Sequence, residues 1–372
     1  MPHPVSRAEV DNVDGINKDL ATVELEEKAK NPSSYNPFAS YLEEGSPRFV
    51  DNLAREVIPK LLSSLRGMPQ LPQPVLNESC PLYRVGREFQ KKYGISEASF
   101  QNWKELLCGW FDFPVILLLN PSSFDVLGYE QMVQQSPTLG WLKKNLEVLK
   151  LELRDVIVMD TFPMVTKELL ESKVFVEDWS DLVADAFELT WTCLRYIQPQ
   201  IVLSCQCCSK AVNEKWGPLR DLRAEELSSS EARARQELVK KVDVDGHQML
   251  VVQGLHPQNV LQHNQKMEGV LEKLFTKVLG PFGQWKQQRV AERRKAARTE
   301  VILVKEGVRD GMRVLMKQMQ LFNQIYGQGD KTEVELSAAA KKVEEWREQV
   351  EGWAGEMDKM ATLGPKAGYS FA

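Results

Sequence analysis

Long apolar runs are missing from this chain. No stretch approaches about twenty consecutive uncharged apolar residues, so no membrane-spanning helix is expected. A secretory leader is not expected either, because residues 1–36 are too polar to supply its hydrophobic segment. Cysteine is sparse and badly placed for cross-linking. Cys205, Cys207 and Cys208 crowd together while Cys80, Cys108 and Cys193 are scattered, which is no disulfide framework. A zinc site needs four well-placed ligands, and no second Cys/His pair stands at finger or ribbon spacing from the Cys-x-Cys-Cys cluster, so neither metal nor cofactor is expected. An excess of positive charge is also absent. The formal net charge of −5 argues against binding nucleic acid through the whole surface and leaves room only for a local basic face. The expectation is an intracellular protein of the nucleus or cytoplasm.

What is present is an ordinary globular composition. With 372 residues, 43% hydrophobic and 27% charged, the chain can build one large core and a smaller appendage. Residues 1–46 are polar and without apolar periodicity, and are expected to be poorly ordered. Residues 47–66 carry Phe49, Leu53, Val57, Leu61, Leu62 and Leu65 near helical spacing. A proline-rich break over 67–81 ends that helix.

Beyond Tyr83 a helical pattern resumes, and a repeated alternation of strand and helix follows. Val115 to Leu119 is apolar at every position and stops at Asn120-Pro121-Ser122-Ser123. After a helical stretch, Leu139 to Leu151, a second run, Val156 to Met159, stops at Asp160-Thr161-Phe162-Pro163. A helix over Trp179 to Tyr196 leads to a third strand, Gln200 to Ser204, which stops at Cys205. A charged helical insertion over 209–241 and a turn at 243–246 precede the fourth, Met249 to Gln253, which stops at Gly254-Leu255-His256-Pro257. The helix Leu261 to Leu279 closes the unit. Short continuous apolar runs suit strands buried on both faces. Their alternation with helices predicts an α/β fold with a small four-stranded parallel sheet, whose site lies beyond the carboxyl ends of the strands. Asn120, Asp160, Cys205 and His256 all fall on that edge.

The order of these breaks resembles the uracil-DNA glycosylase superfamily, over roughly Phe111 to Leu279. It carries Asn-Pro after the first strand, a polar turn after the second and His-Pro after the last, nearest to the mismatch-specific, thymine-glycosylase branch. The resemblance implies a uracil-DNA glycosylase-like domain over 47–282, acting on DNA in base-excision repair. It gives Asn120 and His256 the catalytic roles: Asn120 holds a water against the anomeric carbon of a flipped-out nucleotide, and His256 donates a hydrogen bond to the departing base. A neutral amide is a poor base, so leaving-group stabilisation must carry more of the barrier. Asp160 takes the position that reads the base edge, where uracil-specific members commonly have Asn. An ionised Asp only accepts hydrogen bonds and would suit an exocyclic amine better than a carbonyl. Phe124 and Phe162 are the aromatics expected to stack on the base, with Tyr129 a third. Ser122, Ser123, Pro257, Gln258 and Val260 would face DNA, Val260 at the position of the apolar wedge.

Two features depart from the family pattern: Leu118 replaces a glycine, and Pro257-Gln258-Asn259-Val260 replaces the usual wedge loop. The cysteine-ligated iron–sulfur arrangement of some branches has no match. A non-catalytic binding module therefore competes with the hydrolase. Plainer roles stay open as well: a helix cap for His256, and a cap or turn for Asp160. A cysteine nucleophile at Cys205 or Cys207 would need His256 as its base.

Residues 283–361 read as a helical hairpin, Gln284 to Tyr326 and Lys331 to Met360, with Val343, Trp346, Val350 and Trp353 at seam spacing. Residues 362–372 form a tail. Arg293 and Arg294, within the basic run Arg289 to Arg298, are the candidate phosphate contacts, against the alternative of a solvated face or a protein partner engaged through 284–360.

Overall fold

The computed structural model describes residues 49–66, 80–171, 179–206, 222–327 and 332–363. The N-terminal segment 1–46, most of the proline-rich break, Cys207, Cys208, the first part of the charged insertion and the tail beyond 363 lie outside the described residues.

The centre of the first compact unit, which ends at Trp285, is a five-stranded sheet. Its strands are β1 (Val115–Leu118), β2 (Val158–Asp160), β3 (Ile201–Ser204), β4 (Val239–Val244) and β5 (His247–Gln253), in the order β2-β1-β3-β5-β4. The four apolar runs form the parallel part. Leu118 pairs with Asp160, Leu117 with Ser204, and Ser204 with Gln253, so their carboxyl ends finish nearly level.

The period of two sends alternate side chains to two cores. Ile116, Leu118, Val158, Leu203 and Val252 join one, with residues of the helical segment 50–66, of Pro137–Val148 and of the chain from Leu271 to Trp285. Val115, Leu117, Met159, Val202 and Val251 join the other, with residues of the helices Pro81–Lys92, Glu97–Leu107 and Trp179–Ile197.

The expected four-stranded parallel sheet is corrected by β4, which pairs antiparallel to β5. The sequence pattern reads 239–241 as the end of a helical insertion because Lys240, Lys241 and Asp243 interrupt the apolar signal. As an edge strand β4 needs only one buried face, supplied by Val242 and Val244, with Val239 buried on the other. Asp245 and Gly246, with φ of 52° and 91°, make the two-residue turn into β5, for which Asp-Gly is the preferred dipeptide.

The closing helix is corrected too. It breaks at Asn264, between Pro257–His263 and a helix running Glu268–Gly327, and it continues through Pro281. Proline removes one backbone hydrogen bond there, yet Phe282 and Trp285 bury their rings against Phe113 and so hold the helix on the core. Gly283 permits this approach: a Cβ at that position would stand 1.7 Å from the Leu149 carbonyl oxygen.

The second unit, Lys286 onward, holds the remainder of that helix and Glu333–Leu363. Val301 and Val304 are buried with Val308, Trp353 and Met357 around them, and Gly307 and Gly311 lie against the Trp353 ring. Among the described residues no helix is long and apolar enough to cross a membrane.

Candidate active site

Three loops leave the carboxyl ends of β1, β2 and β5, and backbone hydrogen bonds hold the first two together. The Thr161 N–H and hydroxyl both donate to the Leu118 carbonyl at 2.8 Å, and the Phe162 N–H donates to Leu119 at 2.9 Å. Thr190 donates to the Asp160 carbonyl at 2.8 Å from the helix Trp179–Ile197. The Gly254 N–H donates to Ser204 at 2.7 Å, which ties the β5 exit to that of β3.

The loop after β1 is fixed from its far side. Asn102, buried on the helix Glu97–Leu107, donates to the carbonyls of Asp125 and Leu127 at 2.7 and 2.9 Å, and Ser99 donates to Asp125 at 3.3 Å. These bonds satisfy loop carbonyls that would otherwise be stranded in a dry environment.

Between these loops lies a cavity of about 560 Å³, lined by Asn120, Asp160 and His256 together with Leu118, Ser122, Ser123, Phe124, Asp125 and Gln258. Three of the four strand-end residues singled out by the sequence thus meet in one cavity. Cys205 does not: it is fully buried in the core, where a thiol is inaccessible to a substrate.

Asn120 donates its amide N–H to the Pro121 carbonyl at 3.1 Å, which orients the amide and leaves its oxygen as an acceptor. His256 occupies the residue before the helix Pro257–His263 but makes no side-chain capping bond. Burial pushes its pKa down to about 4, so the ring is neutral at physiological pH and carries one N–H donor.

Asp160 is the last residue of β2 and only 8% exposed. Its Oδ1 meets no hydrogen-bond donor. Burial, and secondarily the charge of Asp125, raises its pKa well above the ordinary carboxylate value. That arrangement differs from a turn or capping aspartate, whose carboxylate is stabilised by backbone N–H groups.

Other candidates part company with the cavity. Phe162 is fully buried in the core cluster of Met159 and Val165, because the turn after β2 directs its ring inward, and it does not line the cavity. Tyr129 packs against the opposite core and is likewise absent from the lining. Phe124 lines the cavity and packs half-buried on that same core. Pro257 is buried, and Val260 is 1% exposed, held in the core by the first turn of its helix. A buried valine cannot act as a surface wedge without rearrangement. Arg294 is exposed on the second unit.

Sequence reasoning missed Asp125, which is 3% exposed, has an unpartnered Oδ2, and lines the cavity. Burial pushes its pKa up to about 6, while the Ser99 and Asn102 bonds go to its backbone carbonyl. The signal available was weak: an aspartate five residues beyond Asn120 on a loop looks like any turn residue. No metal-binding cluster of His, Cys, Asp and Glu occurs among the described residues. No protein-family model matches the sequence, and no curated protein matches it significantly.

Proposed function

We propose that this protein hydrolyses the N-glycosidic bond of an altered base in DNA, with a flipped-out nucleotide seated in the cavity at the strand ends. The observation that supports this most is the meeting of Asn120, Asp160 and His256, remote in sequence, in one cavity of a volume ordinary for small ligands. The uracil-DNA glycosylase resemblance supplies the reaction; the cavity supplies a place for it.

In this reading the Asn120 amide oxygen accepts from a water and aims it at the anomeric carbon. As the carbon–nitrogen bond breaks, cationic character develops on the sugar and negative charge on the base. The neutral His256 ring donates its N–H to a carbonyl oxygen of that base, an interaction that strengthens as the charge grows and so favours the transition state. A neutral imidazole is suited to this because it keeps one N–H donor without taking up a proton. Asp160 meets the base edge, and Phe124 is placed to cover a base face. In this reading Ser122, Ser123 and Gln258, which line the cavity, contact the DNA strand.

A second reading, a non-catalytic module that engages a protein partner through 284–360, is favoured by the burial of Val260, which leaves no wedge to replace the extruded nucleotide. One experiment separates the two. Purified full-length protein is incubated with oligonucleotides carrying uracil, thymine mismatches, hypoxanthine or alkylated bases, and abasic sites are scored by alkaline cleavage. Duplex binding at low salt is measured in parallel. The expected result is abasic product from at least one substrate, reduced on the order of 100-fold in Asn120→Ala and in His256→Ala. Absence of product from every substrate, or equal rates in the variants, rejects catalysis at this cavity. Absence of duplex binding as well selects the second reading, whereas binding lost on changing Arg293 and Arg294 to Ala rejects it.

A further inference from the structure

In the second unit the long helix carries two apolar rows, and the hairpin covers one of them. Val301, Val304, Val308 and Gly311 face Val350, Trp353 and Met357, with Leu315 and Phe322 half-buried further along. Met312, Met316, Met319 and Tyr326 make the other row, with Asn323 filling the step before Tyr326. Its residues recur three and four apart, the heptad spacing of a helix-packing seam. It lies roughly 70° round the helix axis from the first row. The four large side chains of this second row are 47% to 71% exposed. Among the described residues, most of the large exposed apolar side chains belong to the second unit. Together the two rows make an apolar arc wider than one neighbouring helix covers. Methionine, with its flexible and polarizable side chain, suits a contact surface.

We infer that this second row is a dimer interface, occupied by the same row of a second copy of the chain running antiparallel to it about a two-fold axis. Self-complementarity selects that occupant. With Met316 opposite Met319 of the second copy, Met312 falls opposite Asn323 and Arg309 opposite Tyr326, each pairing occurring twice. Arg309 has an exposed contact with Asp310 on its own helix at 3.6 Å, which holds it only weakly. It is therefore free to lie over the Tyr326 ring of the second copy, as a cation over an aromatic face. That ring stacks on its own Phe322, with centroids 6.2 Å apart, and is otherwise exposed. Lys305, which continues the row towards the N-terminus, falls past the helix end at Gly327 and so stays clear of the contact. A parallel pairing would instead set Arg309 on Arg309 and Lys305 on Lys305, like charges in a partly desolvated seam.

The area is sufficient for a reversible dimer. At ~200 Å² for each side chain, the exposed parts of Arg309, Met312, Met316, Met319, Asn323 and Tyr326 amount to roughly 600 Å² per copy, or about 1,200 Å² for the pair, the lower end of specific interfaces. Association in the micromolar range follows from so small a contact. Asn323, a polar residue within the row, fixes the register rather than adding affinity. The inference concerns the second unit by itself and rests on neither functional reading given above.

The test is sedimentation equilibrium of the full chain across the micromolar range. The expected wild-type result is a reversible monomer–dimer equilibrium. Met316→Glu combined with Met319→Glu is expected to raise the dimer Kd at least about 100-fold, with the far-UV circular dichroism unchanged because both positions are exposed. Should the glutamates unsettle the helix, Met316→Gln with Met319→Gln gives the same readout with neutral, helix-compatible side chains. Arg309→Glu is expected to raise the Kd about tenfold. Adding Tyr326→Lys to that variant restores association, because an antiparallel pairing sets the new carboxylate against the new ammonium and a parallel one sets like against like. A wild-type chain that stays monomeric throughout overturns the inference, needs no variant to fold, and leaves the row to a different protein. A dimer indifferent to the glutamates has its contact elsewhere and overturns the inference as well. Loss in Arg309→Glu without recovery in the double variant refutes the antiparallel pairing.

Discussion

The two compact units of this protein solve the problem of burial in opposite ways. The first surrounds a sheet with helices on both faces, so nearly every strand residue is enclosed and a few polar groups are trapped with it. The second has two helices and one narrow seam. Along Glu333–Leu363, Leu336, Ala339, Val343, Trp346, Val350, Trp353 and Met357 are half-buried or buried in successive turns, while most of their neighbours are exposed. That spacing, three and four residues apart, marks a single contact face. The comparison teaches that enclosure does more than stabilise: it lets a carboxyl group or an imidazole keep an unusual protonation state, which an exposed hairpin cannot do.

The sharpest way to break the comparison is to strike each unit at its closest contact. In the first, Gly283→Ala places a Cβ against the Leu149 carbonyl, and backbone cannot turn aside as a flexible side chain can. We expect a loss on the order of 3 kcal/mol or more in denaturant unfolding, because the long helix must lift from Leu149 and Leu151. In the second, Trp353→Ala removes the ring that covers Gly307 and Gly311. The expected loss is about 2 kcal/mol, below that of a full core truncation since Trp353 is only partly buried. Amide hydrogen exchange should show protection falling in 301–311 and 346–357 while the amides of β1 and β3 hold theirs. Equal loss in both units would show that the seam is not a separate cooperative element.

A smaller effect sharpens the point about enclosed charges. Asp125, raised to about 6, binds its proton more tightly folded than unfolded, so its contribution to stability falls as pH rises from about 4 to 6. His256, lowered to about 4, binds its proton less tightly when folded, so its contribution rises with pH between about 4 and 6.5. The two slopes oppose one another in the same window. Relative to the wild type, we expect Asp125→Asn to make the slope of stability against pH more positive there and His256→Asn to make it more negative, each by up to about 1.4 kcal/mol per pH unit. Identical slopes in both variants and the wild type would mean that neither group is as enclosed as its surroundings indicate.

Much of this molecule could be read from local pattern. Apolar runs ending abruptly at Asn120, Asp160, Cys205 and His256 specified four strands and the edge on which a site would form, because a strand buried on both faces permits no polar residue until it emerges. The heptad-like spacing from Val343 to Trp353 likewise marked a helix with one buried seam. Where local pattern was ambiguous, it misled. Lys240, Lys241 and Asp243 hid an edge strand, and Pro281 looked like a helix end although aromatic packing carries the helix past it.

The rest was decided by tertiary structure. Strand order, the turning of Phe162 and Val260 into the core, and the meeting of three strand ends in one cavity depend on contacts between residues far apart in the chain. So does the presence of Asp125 and Asp160 in the same cavity. A carboxyl group's charge reflects the water it has lost and the neighbours it has gained, and no residue's own sequence context records either.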